Sequence, residues 1–334
     1  MNIKLFLFLV ATLACSTFGV FTAISGAERE YLDIPSPNER IVKELEIIFS
    51  QIRESPNAFI DPMVLPKEKV EDLVLAVAEK IKEPGDDSLG FKSRIIELLM
   101  NLIALPGDAD STAGQYVLKA LLNSAFAPNQ SNTALDALIQ FPERSFNENE
   151  KGAILQIYRE NTNNMKVIRL VGVSNVSAAI PELKIKADYF IAPEYRPEIL
   201  VKDILRDHDD TDWQSALALA RMGDKIAISH CINAIKYRFE ANIDPIRFPI
   251  LYKCEKFGRD LNYIAQTEGH KILLNWLESN EVDKMNDVPI AHIAMRLLAK
   301  SVIGCASPKI VISENELAEF RDWFKRNPEF SILR

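Results

Sequence analysis

The stretch that decides the fold is DWQSALALARMGDKIAISHCINAIK, Asp212 to Lys236. It reads as two short helices joined at Met222-Gly223-Asp224. A glycine just past a helix end adopts the left-handed conformation without steric cost, and an aspartate in front of the next helix accepts its first free N–H groups. Ala216 and Ala220 let neighbouring helices approach closely beside the larger Trp213 and Leu217. In the second helix, Ile228, Ile232, Ile235 and Phe239 recur at spacings of four, three and four, which puts them on one stripe. A hairpin this small cannot bury such a stripe alone and needs a neighbour on each side. The expectation is therefore an all-α chain built as an α-α superhelix of stacked hairpins, with Trp213, Ala216, Leu217, Ala220, Gly223, Asp224, Ile228, Ile232 and Ile235 as the core of one unit.

A related pattern lies upstream in NNMKVIRLVGVSNVSAAIPELKIKA, Asn163 to Ala187. Its polar turn, Ser174-Asn175, stands about 50 residues before Gly223-Asp224, slightly long for one helical repeat. The register slips by one residue after the turn, and the segment from Tyr189 to Asp210 reads as an insertion. Before these hairpins, helices are predicted over 38–54, 67–82, 91–105, 113–127, 133–141 and 147–159. Within 38–54, Ile41, Leu45, Ile48 and Ile52 form the apolar stripe; within 67–82 it is Val70, Leu73, Val77 and Ile81. After the hairpins, 245–257 and 260–277 form a pair broken at Phe257-Gly258, and 287–303 is strongly apolar. Glu314 to Arg326 has Phe320, Trp323 and Phe324 on one face and charges on the others, as the lid of a stack requires. The organisation expected is residues 1–27 as leader, 28–36 as an exposed start, 37–160 as an N-terminal helical region, 161–312 as repeats with the insertion near 188–210, and 313–334 as a capping helix.

Composition agrees with helix over sheet. Of 334 residues, 48% are hydrophobic and 26% charged, only 12 are glycine, and β-branched runs at period two are nearly absent. The net charge of −8 speaks against a nucleic-acid partner, whose phosphates demand a basic face. Residues 1–27, MNIKLFLFLVATLACSTFGVFTAISGA, carry one cation, Lys4, then an apolar run, then small residues, which is the grammar of a secretory signal peptide cleaved after Ala27 or Ala23. The chain is then secreted or periplasmic. Two other readings stand: the uncharged run from Leu5 to Ser25 is long enough to be kept as a membrane anchor, and Cys15 is placed for lipidation, although Thr12-Leu13-Ala14 is not the usual sequence before a lipidated cysteine. Cleavage leaves Cys231, Cys254 and Cys305, an odd number in apolar helical settings, so small buried hydrophobes are expected and a Cys231–Cys254 bridge stays open. Asn129 and Asn175 each open a glycosylation sequon, which matters only in a eukaryotic secretory route.

WQSALALARMGDKIAISHCINAIK resembles a HEAT repeat, of the short bacterial kind also found in phycobilin lyases, and IRLVGVSNVSAAIPEL is similar, with Pro181 early in its second helix. The likeness covers the two hairpins and is architectural elsewhere; the chain departs from the family in repeat regularity and in the insertion. The resemblance implies a curved helical solenoid that holds a protein or peptide partner on its concave face. It carries no catalytic residues and no cofactor.

Motifs that carry chemistry are scarce. The chain has no Gly-x-Gly-x-x-Gly, P-loop, His-Glu-x-x-His, Cys-x-x-Cys or Gly-x-Ser-x-Gly. His208, His230, His270 and His292 lie far apart in sequence. The sharpest candidate is RDHDDTDW, where Asp207, His208, Asp209, Asp210 and Asp212 gather oxygen and nitrogen donors suited to a divalent cation. The spacing misses the calcium-loop pattern, and acids before a helix also serve its N-terminal dipole. A mild basic excess, Lys225, Lys236, Arg238, Arg247, Lys253, Lys256 and Arg259 against Glu240, Asp244 and Glu255, reads as solvated surface or as a groove for an acidic partner. Two functions follow. The first is an exported scaffold for protein–protein interaction with no catalysis of its own. The alternative is a lyase-like or hydrolytic enzyme with its site near residues 207–213.

Overall fold

The computed structural model of the chain describes residues 32–54, 69–82, 90–103, 105, 107–126, 132–192, 211–240, 250–283, 288–305, 308 and 312–333. Residues 34–334 form one unit, distinct from residues 1–33. The fold is all-α: fifteen α-helices are present among the described residues, with one two-residue antiparallel ladder between Val282–Asp283 and Val288–Pro289. The helices are α1 (Glu39–Glu54), α2 (Val70–Lys82), α3 (Phe91–Asn101), α4 (Thr112–Ala125), α5 (Asn132–Leu138), α6 (Glu148–Glu160), α7 (Met165–Val173), α8 (Ile180–Lys186), α9 (Asp188–Ile191), α10 (Thr211–Arg221), α11 (Lys225–Glu240), α12 (Ile250–Ile264), α13 (Thr267–Leu277), α14 (Ile290–Ser301) and α15 (Glu314–Arg326). Among the described residues, no helix is long and apolar enough to cross a membrane.

The helices pack in two rows. In the first, α1, α3, α5, α7, α10, α12 and α14 each lie against the next. In the second, α2 packs on α4 and α4 on α6, and further along α9 packs on α11 and α11 on α13. Contacts between consecutive helices join the rows, as at α1–α2, α6–α7, α10–α11 and α13–α14. No extensive packing among the described helices joins elements more than three apart in the chain.

The amphipathic spacing explains the rows. Ile41, Leu45, Ile48 and Ile52 of α1 are all buried, as their stripe predicts. Helix α3 buries Ile95, Ile96, Leu98 and Leu99 because it meets α1, α2, α4 and α5. Good caps bound the helices. Ser111 accepts from the Gly114 N–H, and Asn147 with Glu150 closes a capping box at the start of α6. Pro181 falls in the first turn of α8, where its missing N–H costs nothing.

The turns of the two hairpins are the same motif. Asn175 and Gly223 both take left-handed φ values, 54° and 96°. Beyond them the Val176 N–H donates to the Val171 carbonyl at 3.2 Å, and the Asp224 N–H to the Leu219 carbonyl at 3.0 Å. Each is the six-to-one bond that closes a helix C-terminus. Asp224 then caps α11, accepting from the N–H groups of Ile226 and Ala227 at 3.1 Å each, and pairs with Lys184 of α8 at 3.0 Å. Although burial pushes the Asp224 carboxyl up, the Ala227 N–H and Lys184 hold it below the usual carboxylate range.

Three details depart from the sequence reading. Val70 is exposed at the first residue of α2, while Leu73, Val77 and Ile81 are buried. The buried stripe of α11 is Ala227, Cys231, Ala234 and Ile235, with Ile232 at its edge and Ile228 only half-buried. The predicted break at Phe257-Gly258 is absent: α12 runs through both, and the chain turns at Ala265, whose φ is 50°. Gly258 serves packing instead. A methyl group there would collide with Leu297 of α14 and stand 3.3 Å from the Trp276 ring of α13.

Gly172 marks a close crossing between α7 and α10. A methyl group at 172 would collide with the Tyr263 hydroxyl and come within 2.9 Å of the Ala218 Cα, a backbone atom that cannot yield. Gly172→Ala is expected to lower unfolding free energy by about 1–3 kcal/mol in urea titration, as overpacking of a rigid seam does. Unchanged stability would show that the seam is looser than described.

Candidate functional site

The first row carries a cleft of about 500 Å³ across α5, α7, α10 and α12, lined by Asp136, Met165, Lys166, Arg169, Gln214, Lys256, Arg259 and Asp260, with Ile139 and Glu255 at its sides. A second cleft of about 310 Å³ lies between α3 and α5, lined by Ile96, Met100, Thr133, Ala137 and Gln140 among others. The two share Asp136.

The floor of the larger cleft is a polar network that ties three helices. Arg169 of α7 forms an ion pair with Asp260 of α12, and its Nε–H donates to Gln214 Oε1 of α10 at 2.7 Å. The Trp213 indole N–H donates to the second Asp260 oxygen at 3.3 Å. The Tyr263 hydroxyl donates to the Arg169 carbonyl at 2.7 Å, and the guanidinium carbon lies 5.0 Å from the centre of the Tyr263 ring. Arg221 Nη1 donates to the Tyr263 carbonyl at 3.0 Å. Burial pushes the Asp260 carboxyl above its usual range, while Arg169 and the Trp213 N–H pull against that shift. Burial likewise pushes the Tyr263 phenol up, so it stays a donor.

The network rests on apolar packing. Trp213 is fully buried and meets the Phe190 ring edge to face at 5.3 Å. Hiding an indole removes roughly 200 Å² from water, worth ~5 kcal/mol before entropy is counted. Ala216, Leu217 and Ala220 are equally buried, and Gly223 forms the turn.

The sequence candidates fare unevenly. Asp207, His208, Asp209 and Asp210 lie outside the described residues. Asp212 is half-buried in the first turn of α10. Among the described residues no three His, Cys, Asp or Glu side chains cluster as metal ligands. Of the basic excess, Lys256 and Arg259 line the cleft, Lys225 and Lys236 are exposed on α11, and Arg247 is outside the description. The basic side therefore contributes two of its members to the cleft. Cys231 and Cys254 are buried and Cys305 half-buried.

The decisive residues Arg169, Gln214 and Asp260 were not singled out by sequence. Arg169 sits in a largely apolar helix, MKVIRLVGV, four residues from its start, and an arginine on the partner-facing side of such a helix is a signal of a cross-helix pair. Asp260 and Gln214 look in sequence like ordinary surface residues.

Two of the described histidines, His230 and His270, serve as structure. His230 Nδ1 is 3.1 Å from the Phe190 carbonyl. His270 is fully buried, with Nδ1 3.1 Å from the Gln266 carbonyl and Nε2 2.9 Å from the Ser301 hydroxyl. A carbonyl only accepts, so the neutral ring carries its proton on Nδ1, and Nε2 is an acceptor that shares the single Ser301 hydrogen with the Asn262 oxygen. Asn262 completes the group: its Oδ1 is 2.9 Å from the Ser301 oxygen, and its Nδ2 donates to the Leu297 carbonyl at 2.7 Å. A serine beside a histidine has the look of a nucleophile, but both are sealed between α12, α13 and α14, where a substrate has no approach.

No known protein family matches the chain, and neither a curated protein nor a solved structure is similar to it.

Burial depresses the His270 pKa below the ordinary 6.5. As pH falls from that value, the unfolded chain binds a proton that the folded chain refuses, so stability present above the unfolded pKa is lost toward the folded one. His270→Gln is expected to flatten the fall of unfolding free energy below pH 6.5 by up to about 1.4 kcal/mol per pH unit. Parallel pH profiles of the two proteins would argue that His270 is not the titrating group.

Proposed function

We propose that the chain is an exported HEAT-like scaffold that holds a protein partner along its first helical row, without catalysis of its own. The observation that carries this reading is the continuous lining of the two clefts by one row of helices, α3, α5, α7, α10 and α12. A stack in which each helix packs only on near neighbours leaves a long face for a partner. The repeated turn at Asn175 and Gly223 supports the hairpin as the unit. The partner-facing row is formed by the first helices of the hairpins α7–α8 and α10–α11. The two-row packing supports a solenoid, and the apolar leader-like start at residues 1–27 supports export. The polar floor is built for holding rather than reacting: Asp260 is engaged by Arg169 and Trp213 and has no room for a proton-transfer role.

A photo-crosslinking amino acid at Ile139, in the larger cleft, tests the reading against the same group at Glu148 on the exposed start of α6. In an extract of the producing cells, Ile139 is expected to yield one discrete crosslinked protein and Glu148 none. Equal labelling at both positions, or none at either, would refute a partner on this face.

A further inference from the structure

We propose that the larger cleft recognises an acidic, extended segment of its protein partner, with a carboxylate seated on the guanidinium of Arg169. This rests on the scaffold reading and names the chemistry of the partner. An arginine has five N–H donors in a planar fork. In Arg169, Nε serves Gln214 and one Nη2 hydrogen serves Asp260, and the remaining three N–H groups have no partner among the described residues. Both hydrogens of Nη1 and the second hydrogen of Nη2 are therefore left for an incoming carboxylate. Arg169 lines the cleft, and 26% of its side-chain surface is exposed there.

The fork is held ready. Gln214 and Asp260 fix one edge in its plane, and the Tyr263 ring lies beneath the guanidinium at 5.0 Å. A ligand meeting a fixed fork gives up less entropy than one meeting a free arginine. The cleft lining holds four cations, Lys166, Arg169, Lys256 and Arg259, against three carboxylates, Asp136, Glu255 and Asp260. Asp136 is neutralised by Lys166 at 2.6 Å, and Glu255 lies 3.8 Å from Arg259 on the rim. The lining thus carries one net positive charge within a chain of net charge −8, a local reversal of sign that favours an acidic ligand at this place. The adjoining cleft offers Ile96, Met100 and Ala137 to an apolar side chain further along an extended segment.

The test uses fluorescence anisotropy with the chain from Glu28 to Arg334. The probe is a fluorescein-labelled, C-terminally amidated peptide of about ten residues, ~33 Å when extended, alternating Glu and Ser. Its control carries Gln for every Glu. The Glu peptide is expected to bind about tenfold more tightly than the Gln peptide, and less tightly as salt is raised. Arg169→Lys keeps the charge but not the fork and is expected to weaken Glu-peptide binding about tenfold. Because Asp260 depends on Arg169, a melting curve must show that this variant is folded. If it is not, the pair Lys256→Gln with Arg259→Gln decides, the first half-buried and the second exposed, with a loss of about threefold expected. Equal binding of both peptides, or undiminished Glu-peptide binding by a folded Arg169→Lys or by the rim pair, overturns the proposal. Displacement by inorganic phosphate at equimolar amounts also overturns it, since the site would then be one for phosphate. A crosslink at Ile139 without Glu-peptide binding defeats this inference alone, whereas loss of that crosslink defeats the scaffold reading beneath it.

Discussion

The close approach of α7 to α10 at Gly172 and Ala218 is the constraint on which the cleft depends. With no Cβ on Gly172, the two helix backbones meet, and the Tyr263 hydroxyl of α12 enters the same space to bond the Arg169 carbonyl. That brings Arg169, Gln214 and Asp260, which come from three helices and are spread over 91 residues between the first and the last, into one polar group. If the seam opened by the width of a methyl group, the tyrosine would lose its place and the ion pair its geometry.

The network is costly to build and costly to break. A carboxylate exposed at only 2% is expensive to take from water, and it is tolerated because each oxygen has a donor. An apolar trio in its place would hold three helices together at least as well. The buried pair is therefore not explained by stability alone. The sealed group of His270, Ser301 and Asn262 makes the useful contrast. It is equally polar, but it has no opening, and it ties α12, α13 and α14 together.

The all-α class was legible because helical spacing is a local signal. Ile41, Leu45, Ile48 and Ile52 lie four or three residues apart, and all are buried. The turn at Gly223 and the cap at Asp224 were legible for the same reason. Gly258 misled, because a glycine that ends a helix and one that admits a neighbour look alike until the neighbour, Leu297, is known. The stripe of α11 shifted toward Ala227, Cys231 and Ala234 since the tight packing of α10 favours small residues over the bulkier Ile228. The cleft itself was not legible. Arg169, Gln214 and Asp260 acquire meaning only from one another, across separations of 45 and 91 residues that no local pattern spans. The basic excess pointed to its rim through Lys256 and Arg259, two members of a longer run.

The central claim is that one polar network across α7, α10 and α12 forms the floor of the cleft. A double-mutant cycle in urea on Arg169→Met and Asp260→Asn tests it most directly. Partners in one buried network are expected to show a coupling energy of about 1–3 kcal/mol. Additive effects, with no coupling beyond error, would mean that the two side chains do not meet and that the cleft has a different floor.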